Sequence, residues 1–319
     1  MSFSDLLEQR FANLNLPETP ASLYDPIRYT MELGGKRVRP RLVCLAAGLN
    51  GTDPSDALEA AIAVELLHNF TLIHDDIMDN ADTRRGKPTV FKKWNPSVAI
   101  LSGDALFTIA VSRLSAYATH PAYPTMMECF LDGILQVCEG QAFDMEFESR
   151  TDVSVDEYLR MIELKTSVLI QKGMELGAMI AQVSDEDVRK TGEIGLKAGL
   201  AFQIQDDLMD AIADPKKFGK KACGDIREGK KTYLTLLLLQ RCDQAEAEYV
   251  TGILQSKSAS DADVKRMLEL YSQYGIFEHT TNEIKRLYED AMSILAQFDQ
   301  NDAHRDIILL LNQLMNRES

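Results

Sequence analysis

Beyond Pro124 the chain contains a single proline, Pro215, and the other nine prolines lie at or before Pro124. Proline inside a helix removes a backbone donor and clashes with the preceding turn. Long proline-free tracts are therefore where helices can run unbroken, and here they carry apolar residues three and four apart. "MIELKTSVLIQKGMELGAMIAQV" and "TGEIGLKAGLAFQIQDDLMDAI" show the pattern. No window alternates with period two among β-branched residues, so strands are not expected. Turn chemistry collects at "LNLPETP", "GLNGTDPS", "NADTRRGKP", "THPAYP" and "ADPKKFGKKACGD". No solenoid repeat and no Ser/Gly-rich linker divides the chain. The expectation is an all-α protein, one domain over residues 1–319, with ten or more helices.

A chain of 319 residues can bury a sizeable core. Its net charge of −15 argues against a general nucleic-acid binder, which needs a basic surface to neutralise phosphates. Any anion site must come from a local basic cluster. Cys44, Cys129, Cys138, Cys223 and Cys242 are scattered and form no CxxC pair, which supports neither a disulfide framework nor a zinc site. The first residues, "MSFSDLLEQRFANL", lack the layout of a signal peptide. Apolar runs such as "LTLLLL" are far shorter than the ~20 residues of a membrane span. A cytoplasmic protein with no membrane span is expected.

Charge placement is more specific. "VELLHNFTLIHDDIMDNADTRRGKPT" (64–89) reads as an apolar helix that ends in three aspartates, Asp75, Asp76 and Asp79, with Arg84 and Arg85 just beyond. The helix is expected to begin with Asp53 as N-cap and Pro54 in its first turn, and to run to about Asn80. Asp75 and Asp79 share a face, roughly 6 Å apart along the axis, with His68 and Thr71 on the same side. Asp76 is rotated away. Carboxylates one turn apart repel unless a cation lies between them, and Mg²⁺ takes such oxygen ligands. A lone acidic helix end is more often a solvated surface, but "AFQIQDDLMDAIADP" (201–215) repeats the arrangement as Asp206, Asp207 and Asp210. Two acid clusters on facing helices of a bundle form a known kind of metal site.

Small residues accompany both. Gly192, Gly195, Gly199, Gln203, Asp206 and Asp210 step by three or four, and a helical glycine costs about 1 kcal/mol relative to alanine. Close helix packing and an open slot for an elongated apolar ligand explain such a face equally well. Thr166, Gly173 and Gly177, with Lys165 beside them, repeat the device. "GGKRVRPR" (34–41) gathers Lys36, Arg37, Arg39 and Arg41, with Gly34 and Gly35 ending a helix or admitting a close approach. Lys220 and Lys230 follow the second acid motif. Guanidinium groups pair bidentately with phosphate oxygens, so aspartates, a divalent cation and flanking bases together suit a diphosphate.

In order and spacing, these motifs resemble the trans-prenyltransferases, the all-E polyprenyl diphosphate synthases. The match runs through GGKRxRP (34–40), DDxxD with RRG (75–86), KT (165–166), FQxxDDxxD (202–210), FGK (218–220) and GDIxxGKKT (224–232). "LSGD" (101–104) and "EGQAFDMEF" (139–147) resemble family segments too, which makes Asp104, Gln141 and Asp144 candidate supporting groups. The resemblance covers about residues 25–235. It implies an isoprenoid-synthase-type bundle around a central cavity, and a homodimer. It also implies that Asp75, Asp79, Asp206 and Asp210 hold three Mg²⁺ ions (Mn²⁺ being an alternative) on an allylic diphosphate. Arg84, Lys165, Lys220 and Lys230 then neutralise that diphosphate, and isopentenyl diphosphate rests on Lys36, Arg39, His68 and Arg85. Thr166 and Gln203 offer oxygen dipoles to the allylic cation. Asp75, Asp79, Asp206, Lys165, Thr166, Gln203 and Lys230 are the expected catalytic set.

In this family, bulky residues before the first acid motif act as a floor for the growing chain. Here Phe70 and Thr71 hold those places, one aromatic rather than two, a pattern similar to synthases of geranylgeranyl diphosphate, with farnesyl diphosphate as the alternative. A terpene cyclase would leave Lys36, Arg39 and Arg85 idle, and a head-to-head condensing enzyme is disfavoured on the same ground. A non-catalytic helical regulatory subunit of such a synthase is the rival of another class, although such relatives typically lose aspartates that are all present here.

Overall fold

The computed structural model describes residues 3–212 and 223–315. Its helices are α1 (Phe3–Ala12), α2 (Ala21–Glu32), α3 (Val38–Leu49), α4 (Leu58–Met78), α5 (Val90–Lys93), α6 (Pro96–Leu114), α7 (Tyr123–Ser149) and α8 (Val155–Ile162). After a π-helical segment, Glu163–Ser167, come α9 (Val168–Ile180), α10 (Asp185–Ile212), α11 (Gly224–Arg227), α12 (Tyr233–Leu239), α13 (Gln244–Ser256), α14 (Asp261–Gln273), α15 (Ile276–Leu295) and α16 (Asp302–Met315). The all-α expectation holds, with one exception. "TRRGKP" forms a minimal antiparallel hairpin, β1 (Thr83–Arg84) and β2 (Lys87–Pro88), in which Arg84 pairs with Lys87. Arg85 and Gly86 take φ of 53° and 73°. A two-residue turn of this kind requires positive φ at both positions, and two isolated pairs are too short to leave a period-two pattern.

The described residues fall into two compact units. Unit 1 draws on Met1–Ile134, Lys172–Gly192 and Phe298–Ile307, and unit 2 on Leu135–Gln171, Glu193–Gln297 and Ile308–Ser319.

In unit 1, α4 is buried on every side from Ala60 to Leu67, as a core helix should be. Its start is as expected, with a tighter opening: the Asp53 carboxylate accepts from the Ser55 N–H, and a 3₁₀ turn, Pro54–Ala57, leads into Leu58. Asp79 forms the C-cap. The partner α6 buries Ala99, Ser102, Gly103, Leu106, Ala110 and Leu114, a mostly small face that lets it lie close to α4. A Cβ at Gly103 would fall 2.3 Å from His74 Nε2. Pro96–Tyr117 is also long and apolar enough to cross a bilayer. No run of leucines announced this, because its apolar character is spread over alanines, valines and isoleucines and interrupted by Asp104 and Arg113.

Unit 2 packs α8, α12, α14 and α15 around Tyr158, Ile162, Leu234, Leu238, Tyr271 and Ile284. Ser154 and Glu157 close a capping box on α8. Tyr271, almost wholly buried, keeps its hydroxyl paired with Thr235 at 2.7 Å.

The glycine faces serve packing. A Cβ at Gly195 would meet the Ile170 carbonyl at 3.0 Å, and one at Gly199 the Ser167 Cα at 2.7 Å. On α9, a Cβ at Gly177 would strike the Val43 carbonyl at 2.3 Å, and one at Gly173 would crowd Val43 at 3.0 Å. The open slot that the sequence allowed is therefore corrected. These glycines are filled by neighbouring backbone and side chains.

Candidate active site

Unit 1 assembles the first acid motif and the basic loop. Gly34 and Gly35 (φ 72° and 149°) turn the chain out of α2. Arg37, itself left-handed at φ 47°, then starts α3. Gly35 is open because Arg85 occupies the place of its side chain: a Cβ there would lie 2.9 Å from the Arg85 guanidinium. Arg39 Nη1 lies 3.2 Å from His68 Nε2. Arginine has no acceptor, so this contact makes Nε2 the acceptor and leaves the proton on Nδ1. Burial holds the His68 pKa well below its ordinary value, and Arg39, Arg85, Arg84 and Arg37 push it the same way. His68 is neutral at physiological pH, so the positive charge here comes from arginines and from the exposed Lys36. Burial also lowers the Arg85 pKa, against the pull of Glu65.

The three aspartates of the first motif divide their work. Asp75 and Asp79 occupy the last turn and the C-cap of α4, half-buried and exposed respectively. Asp76 turns inward, is 3% exposed, and accepts from Arg84 Nε at 2.8 Å with Nη2 at the same distance. Burial raises the Asp76 pKa in spite of that partner. Arg84 is thus the strut of its own motif, a role the sequence did not reveal. One turn before Asp75, Phe70 packs edge-on against His74 at 4.7 Å and leans on Phe107 at 5.6 Å. The Thr71 hydroxyl donates to the His68 carbonyl at 2.8 Å. Asp104 lies 4.0 Å from His74 Nε2.

Unit 2 assembles the second motif. Asp206 and Asp210 are half-buried, while Asp207 turns into the core. Asp207 accepts from the Tyr158 hydroxyl at 2.5 Å, the Tyr233 N–H at 3.0 Å and the Gln203 amide at 3.4 Å. Burial pushes its pKa up to about 7. Both carboxylate oxygens of Asp210 accept backbone N–H bonds, from Gly224 at 3.1 Å and Asp225 at 3.0 Å. That fold of "CGD" onto α10 half-buries Asp225, whose pKa rises to about 6 through desolvation and then through Asp210. Lys230 reaches Glu228 at 3.0 Å and Asp225 at 3.6 Å. Lys220, also expected in this group, lies outside the described residues.

Lys165 and Thr166 sit in the π-helical segment, where one extra residue widens the turn, as π-bulges at functional positions often do. α7 presses against it at Gly140, where a Cβ would lie 2.3 Å from the Lys165 nitrogen. Lys165 pairs with Asp144 at 2.5 Å, and the Thr166 hydroxyl donates to the Gln203 carbonyl oxygen at 3.2 Å. Gln141 is buried, and its amide has no hydrogen-bond partner among the described residues. An orphaned buried amide beside such a set is the kind of group a bound ligand satisfies.

Among the described residues, no group of three or more His, Cys, Asp or Glu side chains is arranged to hold a metal by itself. The donors present, carboxylates one turn apart with solvent access, suit Mg²⁺, which binds one or two carboxylates and completes its shell with water and substrate phosphate oxygens. Helices that present paired aspartates beside a cluster of arginines define a protein built to hold phosphate esters. Residues 20–271 match the polyprenyl synthetase family model, and the chain belongs to that family.

A short chain isoprenyl diphosphate synthase of Methanothermobacter thermautotrophicus is 33% identical over 99% of this chain and 97% of its own. A geranylgeranyl diphosphate synthase of Sulfolobus acidocaldarius is 38% identical, covering 86% of this chain and 84% of its own. The crystal structure of geranylgeranyl pyrophosphate synthetase from Pyrococcus horikoshii Ot3 superposes with a TM-score of 0.92 at 35% identity, covering 99% of this chain and 96% of that one.

Proposed function

We propose that this chain is a short-chain trans-polyprenyl diphosphate synthase that couples isopentenyl diphosphate head-to-tail to an allylic diphosphate, with geranylgeranyl diphosphate as its product. The observation that carries this reading is the cluster of Arg39, neutral His68 and Arg85, in which His68 stands two turns before Asp75 on α4 and Arg85 packs against Gly35. A cyclase with one diphosphate substrate has no use for it, whereas a condensing enzyme needs a metal-free seat for the second diphosphate.

Asp75, Asp79, Asp206 and Asp210 would hold Mg²⁺, which when bound supplies Lewis-acid stabilisation of a leaving diphosphate. Lys165, Lys230 and Arg84 add fixed positive charge for that group, with Asp144, Asp225 and Asp76 keeping each in place. The allylic C–O bond breaks with both electrons leaving on the diphosphate. The isopentenyl double bond attacks the allylic carbon, and the proton lost from the adduct passes to the departed diphosphate. Gln203, aligned by Thr166 and Asp207, points a carbonyl dipole suited to the cation. Lys36, Arg39 and Arg85 hold the second diphosphate, and His68 orients Arg39 without adding charge.

Incubation with Mg²⁺ or Mn²⁺, isopentenyl diphosphate and each allylic primer tests the reading. Condensation to a twenty-carbon diphosphate is expected, and cyclised hydrocarbon or no turnover would refute it. A fifteen-carbon end product would make the chain a farnesyl diphosphate synthase instead.

Phe70 sets the floor. Phe70→Ala removes the ring that packs on His74 and Phe107, so products longer than the wild type's are expected by chromatography. An unchanged profile would clear Phe70 of that role.

A homodimer is proposed from the apolar residues unit 1 leaves exposed. Ile100 (46%) and Leu101 (60%) on α6 and Leu131 (45%) on α7 are large apolar residues left exposed, and contiguous exposed apolar area is what marks association. Leu101→Asp is expected to halve the mass seen by analytical ultracentrifugation, and an unchanged mass would place the contact elsewhere.

A further inference from the structure

Arg39 lies 3.2 Å from His68, and Arg85, Arg84 and Arg37 join it in depressing the protonation of that imidazole. Like charges gathered this closely repel, and repulsion inside a protein is only weakly screened. The Arg84 charge is met by Asp76. For Arg37 and Arg85 the nearby buried acid is Glu65, 3% exposed, which lies one turn before Asn69 on α4. Glu65 Oε1 accepts from Arg37 Nη1 at 2.5 Å, and its charge also attracts Arg85.

The Arg37 guanidinium is turned away from the exposed face on which Lys36 stands. It is 9% exposed, donates to the Met31 carbonyl at 2.9 Å and lies 4.6 Å over the Phe11 ring. Its backbone is left-handed, a conformation that costs a bulky residue free energy. The buried ion pair offsets that cost and sets where α3 begins. Arg37 thus anchors the junction of the Gly34–Arg37 loop and α3, with Lys36 on one flank and Arg39, in the first turn of the helix, on the other.

We propose that Glu65 is the positioning residue of the metal-free diphosphate seat: through Arg37 and Arg85 it holds the Gly34–Arg37 loop and the first turn of α3 so that Lys36, Arg39 and Arg85 converge on one anion. The inference rests on the proposed function for the identity of that anion, and concerns geometry rather than contact, since Glu65 itself would repel a diphosphate.

That repulsion makes the test decisive by sign. Glu65→Gln keeps the shape of the side chain and removes the charge that fixes Arg37. A through-space effect alone would tighten anion binding, whereas loss of loop position weakens it. KM for isopentenyl diphosphate is expected to rise roughly tenfold, with KM for the allylic diphosphate and kcat within about twofold. A merely structural pair would move both KM values together. The double variant Glu65→Leu with Arg37→Met replaces the pair by apolar side chains, a change that often restores stability. It is expected to regain the melting temperature lost in the single variants while keeping the raised KM, and recovery of both would overturn the proposal.

A second readout needs no turnover. Inorganic pyrophosphate titrated calorimetrically in the presence of EDTA reports the metal-free seat alone, and it should bind Glu65→Gln about tenfold more weakly than wild type. Equal or tighter binding, or none to the wild type, would overturn the proposal. Failure of the wild type to condense its substrates would instead defeat the proposed function and leave this binding result standing.

Discussion

Asp206→Ala, and separately Asp75→Ala, should lower turnover by roughly a thousandfold or more, the loss typical when a charge-stabilising element of a transition state is removed. Both side chains are half-buried on α-helices and belong to the positions one turn apart that suit Mg²⁺. Neither is the inward aspartate of its motif, so the Asp76–Arg84 and Asp207–Tyr158 bonds stay in place. Circular dichroism and melting temperature should stay close to wild type while steady-state turnover collapses. EDTA should imitate the loss in the wild type, and added Mg²⁺ should restore it there. Near-normal rates in either variant would remove that aspartate from the reaction.

Asp207 is expected to dominate the stability of unit 2. Asp207→Ala leaves the Tyr158 hydroxyl and the Tyr233 N–H without their acceptor, at a cost of roughly 3 kcal/mol or more. The carboxyl also ties stability to pH. Its pKa stands at about 7 in the fold against 3.8 in the open chain. Between those values the folded state keeps a proton that the unfolded state has lost, so stability declines as pH rises from about 4 through 7. The whole displacement is worth on the order of 4 kcal/mol. Asp225, raised to about 6, acts in the same direction. His68 acts oppositely: neutral in the fold, it costs stability as pH falls below its ordinary value. Metal-free melting curves from pH 4 to 8 should therefore show the decline in the wild type and a flatter profile in Asp207→Asn. An equally steep profile would move the titration to another group.

Legibility in the sequence followed the physics of each signal. Helix content was readable because proline-free tracts with a period near 3.6 leave few alternatives. The outward aspartates were readable because an acid in an apolar helix is costly and two copies are hard to dismiss. Helix spacing also set Asp76 apart from Asp75 and Asp79, but the partners of the inward aspartates, Arg84 for Asp76 and Tyr158 for Asp207, are supplied by no spacing rule. Arg37 looked like one more charge in "GGKRVRPR", and only the fold shows its guanidinium buried against Glu65. The glycines of α9 and α10 could mean contact or void, and side-chain geometry decided for contact. The hairpin at Thr83–Pro88 was too short to register.

The widened turn at Glu163–Ser167 has a consequence for insertions and deletions. Each residue of an α-helix advances its successor by about 100°, and a π-type turn takes up one residue more than an α-type turn. The surplus residue is thus absorbed between Ile162 and Val168, and the helix beyond keeps its phase. Deleting Glu163 would let the stretch close into regular α-helix with Val168 onward facing as before, so Gly195 and Gly199 would keep the surfaces of Ile170 and Ser167. Only the widened turn that carries Lys165 and Thr166 would be lost.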